Sequence, residues 1–210
     1  MSKYITITNV LGSFATNCYT VANTETREAV IIDPADRAEY LISMYENQKL
    51  QPVAILLTHG HLDHIGAVGG LRQAFPGIKV YAGVEEKDVL ARPELNLSNM
   101  FGFPVTAEAD VYVKDSEKLT LLDAEITCIH VPGHTKGGMC YYFADEEILF
   151  SGDTLFCRSV GRSDFPTGDS LLLLQNIEKK LLVLPENVTV YPGHDSRTTI
   201  GKEKKENPYF

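Results

Sequence analysis

The stretch that decides the fold is VAILLTHGHLDH, residues 53–64. Its first five residues form an apolar run after Pro52, which predicts a buried β-strand. The three histidines that follow lack the i, i+4 spacing of helical zinc-binding pairs, so we expect a tight loop at the carboxyl end of the strand rather than a helix. Neutral imidazole and carboxylate are usual ligands of zinc and neighbouring metals. The candidate ligands of this loop are His59, His61, Asp63 and His64.

Three further apolar segments also end in a glycine-containing turn and one ligand-type side chain. Residues 126–131 lead into PGH at 132–134, residues 147–150 into SGD at 151–153, and residues 188–191 into PGH at 192–194. Pro-Gly suits a sharp turn in which glycine takes a positive φ. Because loops at strand ends converge above a sheet edge, we expect His134, Asp153 and His194 to join the loop histidines. His130 lies inside a strand and is expected to pack rather than to bind metal.

The composition is that of an ordinary soluble globular protein, and residues 1–210 are predicted to form a single domain. The net charge of −9 disfavours a nucleic-acid partner. The four cysteines form no C-x-x-C pair, which indicates free thiols in a reducing compartment. No leader-like segment or bilayer-length apolar stretch is found, so we expect a cytoplasmic protein with no membrane partner. The sequence does not indicate an oligomeric state.

Periodicity predicts a mixed architecture along the chain. The expected helices cover residues 36–48, 71–75, 85–90 and 170–184, the last with Leu171, Leu174, Ile177, Leu181 and Leu182 on its apolar side. The charge run KEKKE at 202–206 is expected to be solvated. Strands in both halves of the chain, each half closed by a helix, favour an α+β fold with two sheets face to face and helices outside. The other expected strands are residues 4–10, 17–22, 28–32, 78–82, 110–113, 118–122 and 139–143.

The order of these motifs resembles the metallo-β-lactamase superfamily. The resemblance consists of H-x-H-x-D-H at 59–64, then a lone His134, then Asp153, then His194. Within that superfamily, GDTLF at 152–156 and GRSD at 161–164 resemble the glyoxalase II-like branch of small hydrolases. The resemblance extends over nearly the whole chain. It implies an αββα sandwich of two mixed sheets that carries two divalent metal ions on one edge.

The resemblance also implies how the ligands divide between the metals. His59, His61 and His134 would hold the first metal, Asp63, His64 and His194 would hold the second, and Asp153 would bridge both. Seven ligand groups suit two metals about 3.5–4 Å apart that share a carboxylate. The imidazole-rich first site favours zinc, whereas the second site could also admit iron or manganese. Aspartate at position 153, in place of the cysteine of well-known zinc β-lactamases, argues against antibiotic hydrolysis.

The function that the resemblance implies is hydrolysis of a small-molecule thioester of the hydroxyacylglutathione type by a hydroxide that bridges the metals. Asp63 and Asp153 would be the catalytic carboxylates, and Arg162 would contact the thiol part of the substrate. Asp164 stands where the branch often has a tyrosine, and we expect no counterpart of its helical C-terminal extension after His194. Asp33 is either a hydrogen-bond partner of a ligand histidine or a turn cap before Pro34. Cys157 is expected to be a core residue.

Three alternatives stay open from the sequence. A mononuclear iron persulfide dioxygenase would use the same ligand set and a similar Arg-x-Asp segment. A phosphodiesterase or nuclease of the same fold is disfavoured by the acidic charge. A non-enzymatic metal-binding protein is disfavoured by the number of ligands, since a structural site needs four.

Overall fold

Two six-stranded sheets form the centre of the computed structural model, which describes residues 3–210. The first sheet has its strands in chain order, antiparallel from β1 to β3 and parallel from β3 to β6. Parallel pairing needs crossover connections, and helices supply them here. The strands of this sheet are β1 (Tyr4–Leu11), β2 (Thr16–Asn23), β3 (Glu28–Ile32), β4 (Gln51–Leu56), β5 (Lys79–Gly83) and β6 (Val111–Val113).

The second sheet has the order β14-β13-β10-β9-β8-β7 and is antiparallel except for the β10–β13 pair. A separate two-stranded hairpin, β11 (Leu155–Phe156) with β12 (Ser159–Val160), was not predicted. The strands of the second sheet are β7 (Lys118–Leu121), β8 (Ala124–His130), β9 (Met139–Phe143), β10 (Ile148–Gly152), β13 (Thr189–Pro192) and β14 (Thr198–Thr199).

Strand β3 shows how the layers form. Val30 and Ile32 point into the apolar cluster between the sheets, while Ala29 and Ile31 point into the cluster beneath the outer helices. Successive side chains of a strand alternate between faces, so a strand covered on both sides has no polar face. A third cluster lies beneath the helices of the second sheet. The expected αββα sandwich is confirmed.

The helices cover the outer faces of both sheets. The predicted helix at 85–90 is a 3₁₀ turn, Val84–Glu86, followed by an α-helix, and a further 3₁₀ turn, Ser98–Phe101, lies in the long irregular segment. No helix within residues 3–210 is long and apolar enough to cross a bilayer. The α-helices are α1 (Ala38–Gln48), α2 (Leu62–Ile65), α3 (Val68–Ala74), α4 (Lys87–Ala91), α5 (Ser170–Asn176) and α6 (Ile200–Glu206).

The helix predicted at 170–184 differs from the prediction in its end and its apolar face. α5 ends at Asn176 and continues as a π-helical turn, Ile177–Leu181. Leu173 is buried with Ile177 and Leu181, whereas Leu171 is 67% exposed. Four consecutive leucines at 171–174 make the period ambiguous in sequence, so the assignment of Leu171 to the buried face was wrong.

The charge run at 202–206 lies in α6, and the expectation that it is solvated holds for four of its five side chains but is wrong for Glu203. Glu203 is fully buried, and its carboxylate accepts hydrogen bonds from the Arg158 backbone N–H (2.8 Å), from Asn207 Nδ2 (2.9 Å) and from the Thr198 hydroxyl. A buried charge is tolerated when its oxygens are hydrogen-bonded. The tertiary partners of Glu203 lie outside the run, so the run itself gave no sign of them.

Candidate metal centre

The candidate centre lies at one edge of the sandwich, where four strands end. The loops after β4, β8, β10 and β13 supply the ligand-type side chains. Strand β4 lies in the first sheet and the other three lie in the second, so the centre draws on both sheets. The structure brings together all seven residues singled out in the sequence: His59, His61, Asp63, His64, His134, Asp153 and His194.

The segment after β4 consists of a short loop followed by a helical turn. His59 and His61 precede the helical turn α2, and Asp63 and His64 lie inside it. The expectation that no ligand of this motif lies on a helix was therefore wrong for two of the four residues. A four-residue turn is too short for sequence periodicity to reveal it.

His59, His61 and His134 form the first triad of nitrogen atoms. His134 Nε2 lies 3.2 Å from His59 Nε2 and 3.0 Å from His61 Nδ1. All three side chains are buried. Burial, and then the neighbouring His134, lower the pKa of His61 to about 3, and burial also lowers the pKa values of His59 and His134. The triad is thus held as neutral imidazole, which is the form that binds a metal.

Asp63, His64 and His194 form the second triad, which carries more negative charge. Asp63 Oδ2 lies 3.5 Å from His64 Nε2 and 3.4 Å from His194 Nε2. Burial opposes protonation of His64, but the carboxylates of Asp63, Asp153 and Asp33 outweigh it and raise the pKa of His64 to about 9. The same kind of attraction, from Asp153 and Asp63, raises the pKa of His194 to about 11. The carboxylates of this second triad therefore favour a positive charge among its side chains.

Asp153 lies between the two triads and reaches both. Its Oδ1 is 3.4 Å from His64 Nε2, and its Oδ2 is 3.4 Å from His194 Nε2 and 3.7 Å from His134 Nε2. Within residues 3–210, Asp153 Oδ1 and His64 Nε2 are among the few buried side-chain atoms without a hydrogen-bond partner. Such atoms are rare in proteins and call for a ligand. A pair of cations that share Asp153 fits this donor set.

Each histidine of the centre has one ring nitrogen that faces the other ligands and one, the outer nitrogen, that faces away. Four of the five histidines donate a hydrogen bond from the outer nitrogen to an oxygen atom of the protein. His64 Nδ1 donates to Asp33 Oδ2 at 3.0 Å. This hydrogen bond sets the tautomer and leaves the lone pair of the other nitrogen directed at the centre. The other three outer contacts are His59 to Thr58 Oγ1 (3.1 Å), His134 to the Arg162 carbonyl (2.6 Å) and His194 to the Phe14 carbonyl (3.1 Å).

Asp33 is buried and has a φ of +49°. Its carboxylate accepts from the Thr58 backbone N–H at 2.7 Å, from the Thr58 hydroxyl at 2.6 Å and from His64. Of the two interpretations left open by the sequence, the structure supports the one in which Asp33 is the hydrogen-bond partner of a ligand histidine.

Glu86 is a residue of the centre that the sequence did not reveal. It is fully buried and accepts from the backbone N–H of Gly60 (2.8 Å) and of Gly137 (2.9 Å) and from the Thr135 hydroxyl (2.9 Å). It therefore ties the loop of His59 and His61 to the loop that follows His134. Burial raises the pKa of Glu86 to about 7. Its neighbour Glu85 is exposed, and nothing in the sequence separates the two.

The two Pro-Gly turns use glycine for different reasons. Gly133 has a φ of +135°, as the turn chemistry predicted. Gly193 does not have a positive φ, but a Cβ there would lie 2.2 Å from Asp153 Oδ1 and 2.8 Å from His64 Cε1. Glycine at 193 therefore makes room for the ligands themselves.

An open cleft of about 440 Å³ lies above the centre. Arg162 lines it, but its guanidinium is paired with Asp164 (3.0 and 2.8 Å) and stacks 4.1 Å from the Phe165 ring centroid. The predicted substrate contact of Arg162 stays a prediction. Four phenylalanine side chains, those of Phe14, Phe101, Phe156 and Phe165, also line this cleft.

Two residues outside the centre complete the comparison with the sequence. His130 hydrogen-bonds through Nε2 to the Lys136 carbonyl at 3.0 Å, which agrees with its expected packing role. Cys157 is only half-buried, and its Sγ lies 3.8 Å from Lys202 Nζ, so its assignment to the core was wrong. Lys202 lies in α6, and the charge run at 202–206 gave no indication of where this helix packs.

Comparison with known proteins gives one family. The model of the metallo-beta-lactamase superfamily matches residues 11–194. A hydroxyacylglutathione hydrolase, GloC, from Haemophilus influenzae is 37% identical over 204 residues, which cover 94% of each chain. Three solved structures are also similar.

The first is that of BLEG-1, a B3 metallo-beta-lactamase, with 43% identity, a TM-score of 0.93 and coverage of 98% of this chain and 99% of that one. The second is TTHA1623 in a di-iron-bound form, with 33% identity, a TM-score of 0.87 and coverage of 97% and 100%. The third is ETHE1 from Myxococcus xanthus, with 28% identity, a TM-score of 0.82 and coverage of 97% and 83%. These likenesses confirm the family expected from the motifs.

Proposed function

The chain belongs to the metallo-β-lactamase superfamily and is a metal-dependent hydrolase of that family, and from this premise we propose that it hydrolyses thioesters of the hydroxyacylglutathione type. The observation that carries the proposal is the position of Asp153, whose two oxygens reach both ligand triads beneath an open cleft. The printed name of the Haemophilus influenzae relative supports the thioester substrate.

The seven residues have defined roles in this proposal. His59, His61 and His134 would hold one cation, Asp63, His64 and His194 would hold the other, and Asp153 would be shared. Two divalent cations would supply a hydroxide nucleophile at neutral pH and would polarise the carbonyl of the substrate. Zinc is the proposed metal, with iron or manganese as alternatives at the second site. The printed title of the TTHA1623 structure supports iron as a candidate.

Asp63 is the proposed proton acceptor. Its Oδ2 accepts the Thr16 hydroxyl at 2.8 Å and the side chain lines the cleft. Burial opposes ionisation of Asp63, but His64, His194 and Thr16 outweigh it and keep its pKa below the usual range. An ionised, fixed carboxylate at the floor of the cleft can take the proton of the nucleophile and pass it to the leaving thiolate.

The test combines metal analysis with a panel of thioesters read out by thiol release. We expect two metals per chain and turnover of thioesters that is lost on chelation and restored by metal. Two bound metals with no thiol release from any member of the panel would refute the thioester assignment and leave the broader hydrolase assignment in place.

Two other activities are supported by particular likenesses. The 43% identity to BLEG-1 keeps β-lactam hydrolysis as a second candidate, against the argument from aspartate at 153. The likeness to ETHE1 supports the iron oxidoreductase alternative raised by the sequence. Hydrolysis of a chromogenic cephalosporin would favour the first, and one iron per chain with oxygen consumption would favour the second.

A further inference from the structure

A second cleft, of about 560 Å³, opens beside the metal centre. Four residues line both clefts, so the two adjoin each other: they are Phe14, Leu62, Asp63 and Phe101. The rings of Phe14 and Phe101 stand edge to face at the junction, with their centroids 4.9 Å apart. Asp63 lines both clefts, so a ligand bound above Asp63 is next to the second cleft as well as the first.

The walls of the second cleft are largely apolar, and some of their side chains are exposed to solvent. Phe103 is 76% exposed, Phe101 44% and Phe14 41%. The other apolar side chains of the lining are those of Leu11, Ala35, Leu62 and Val105. Exposed apolar side chains that adjoin one another beside a reactive centre are typical of a binding surface. Burial of a hydrocarbon against them removes apolar surface from water on both partners.

The charges of the second cleft select against anionic ligands. Asp36 and Asp63 are the charged residues among its described lining residues, and both are acidic. Like charges at short range repel, so a carboxylate-bearing group such as the peptide part of glutathione is disfavoured there. Arg162, in the first cleft, is the one arginine or lysine among the described lining residues of the two clefts, so we place the polar thiol carrier on that side.

We propose that the second cleft binds an apolar acyl chain, so that the preferred substrates are thioesters with a medium-length hydrocarbon acyl group. The inference rests on the proposed thioester hydrolysis for its chemistry and on the second cleft for its specificity. The Phe14 carbonyl accepts a hydrogen bond from His194 Nδ1. Phe14 therefore orients a ligand histidine with its backbone and forms the mouth of the acyl site with its ring. Because each buried methylene stabilises a complex by about 0.8 kcal/mol, kcat/KM should rise about fourfold per methylene until the cleft is filled.

The first experiment measures kcat/KM of the metal-loaded full chain on acetyl, butyryl, hexanoyl and octanoyl thioesters of one small neutral thiol. We expect a steady rise with length. In Val105→Trp, which narrows the cleft, the octanoyl-to-acetyl ratio should fall toward one. Val183→Trp is the control, because Val183 is 68% exposed and lines neither cleft. A wild-type ratio near one overturns the inference.

The second experiment separates this inference from the proposed function. Calorimetric titration of the metal-loaded protein with non-hydrolysable S-ethyl, S-butyl and S-octyl thioethers of the same thiol reports chain binding without turnover. If no thioester is hydrolysed, the proposed function fails, while tighter binding of the longer thioethers still supports an apolar-chain site. Equal affinity for all three overturns the cleft inference whatever the turnover.

A second copy of this chain is the other occupant to test. Sedimentation velocity of the wild type and of Phe103→Asp shows whether a second copy or a small molecule occupies the second cleft. A monomer in both supports a site open to small molecules. A dimer that Phe103→Asp dissociates assigns this face to a second copy and overturns the inference.

Discussion

At the residue scale, hydrogen bonds from buried groups outside the ligand set fix the directions of the ligands. Asp33 holds Thr58 and His64, and Glu86 holds the two loops that carry the first triad. The motif H-x-H-x-D-H and the strand-end turns were sufficient to predict that these seven side chains lie together, because ligand-type side chains at strand ends are distinctive in sequence. Glu86 was missed because its partners are backbone N–H groups, which every sequence contains.

Replacing Asp33 by Asn should weaken metal binding by about 10- to 100-fold. An amide NH2 group in place of Oδ2 can accept a hydrogen bond neither from the Thr58 hydroxyl nor from the His64 N–H. Asparagine tolerates the φ of +49° at this position, so the backbone should persist. Metal titration against a competing chelator measures the effect. Glu39→Gln, an exposed acid in α1, is the control, and equal affinity in Asp33→Asn would show that the hydrogen bond does not set the ligand.

Replacing Asp153 by Ala should remove both metals and all turnover, since its oxygens are the contact shared by the triads. Metal content by elemental analysis and thiol release on an active thioester are the measurements. Asp145→Ala, at an exposed acid, should retain both. Full activity in Asp153→Ala would refute the shared role.

Glu86 gives a pH dependence whose sign can be worked out. Its folded pKa of about 7 lies above the value of 4.5 for an ordinary glutamate, so the folded state binds more protons between these values. The free energy of unfolding therefore falls as pH rises from 5 to 8, by up to about 3 kcal/mol from this group. Urea unfolding of metal-free wild type and Glu86→Gln at both pH values measures the difference between the two proteins. The same difference at pH 5 and pH 8 would contradict the prediction.

At the element scale, long strands and α1 were predicted almost to the residue, because their apolar periods are long. Several short elements were not: α2, the two strands of the β11–β12 hairpin and the π turn after α5 each contain five residues or fewer. In such elements tertiary contacts outweigh local preference. The helix α6 is the extreme case, since its sequence is mostly charged and its buried side chains are those of Ile200 and Glu203.

Glu203→Ala should destabilise the fold by about 2–4 kcal/mol, because the Arg158 N–H, the Thr198 hydroxyl and Asn207 Nδ2 would lose their acceptor. Glu206→Ala, at an exposed position of the same helix, should change stability by less than about 0.5 kcal/mol. Chemical denaturation at pH 7 measures both. Similar values for the two variants would show that α6 is not held through Glu203.

At the scale of the whole molecule, the candidate centre joins the two sheets. Four ligands follow β4 of the first sheet, and three follow strands of the second. The sequence predicted two sheets face to face, but it could not predict that β10 and β13 pair in parallel, because that pairing joins strands far apart in the chain. This parallel pair is what brings Asp153 beside His194.

Chelation should therefore lower the thermal stability of the whole fold. A ligand that binds only the folded state at 1,000 times its Kd adds about 4 kcal/mol, so the loss in Tm should be several degrees and should reverse on return of metal. Differential scanning calorimetry with and without chelator measures it. Asp153→Ala should show little response to chelator, and an equally large response would contradict metal binding at this centre.

The turn between β1 and β2 has a consequence for how relatives of this chain can diverge. Its Phe14 offers a carbonyl to His194 and a ring to the mouth of the second cleft. An insertion or deletion in this turn would shift both at once, whereas a substitution of the ring alone leaves the carbonyl in place. Selection for new acyl groups should thus favour point changes at position 14 over changes in the length of the turn.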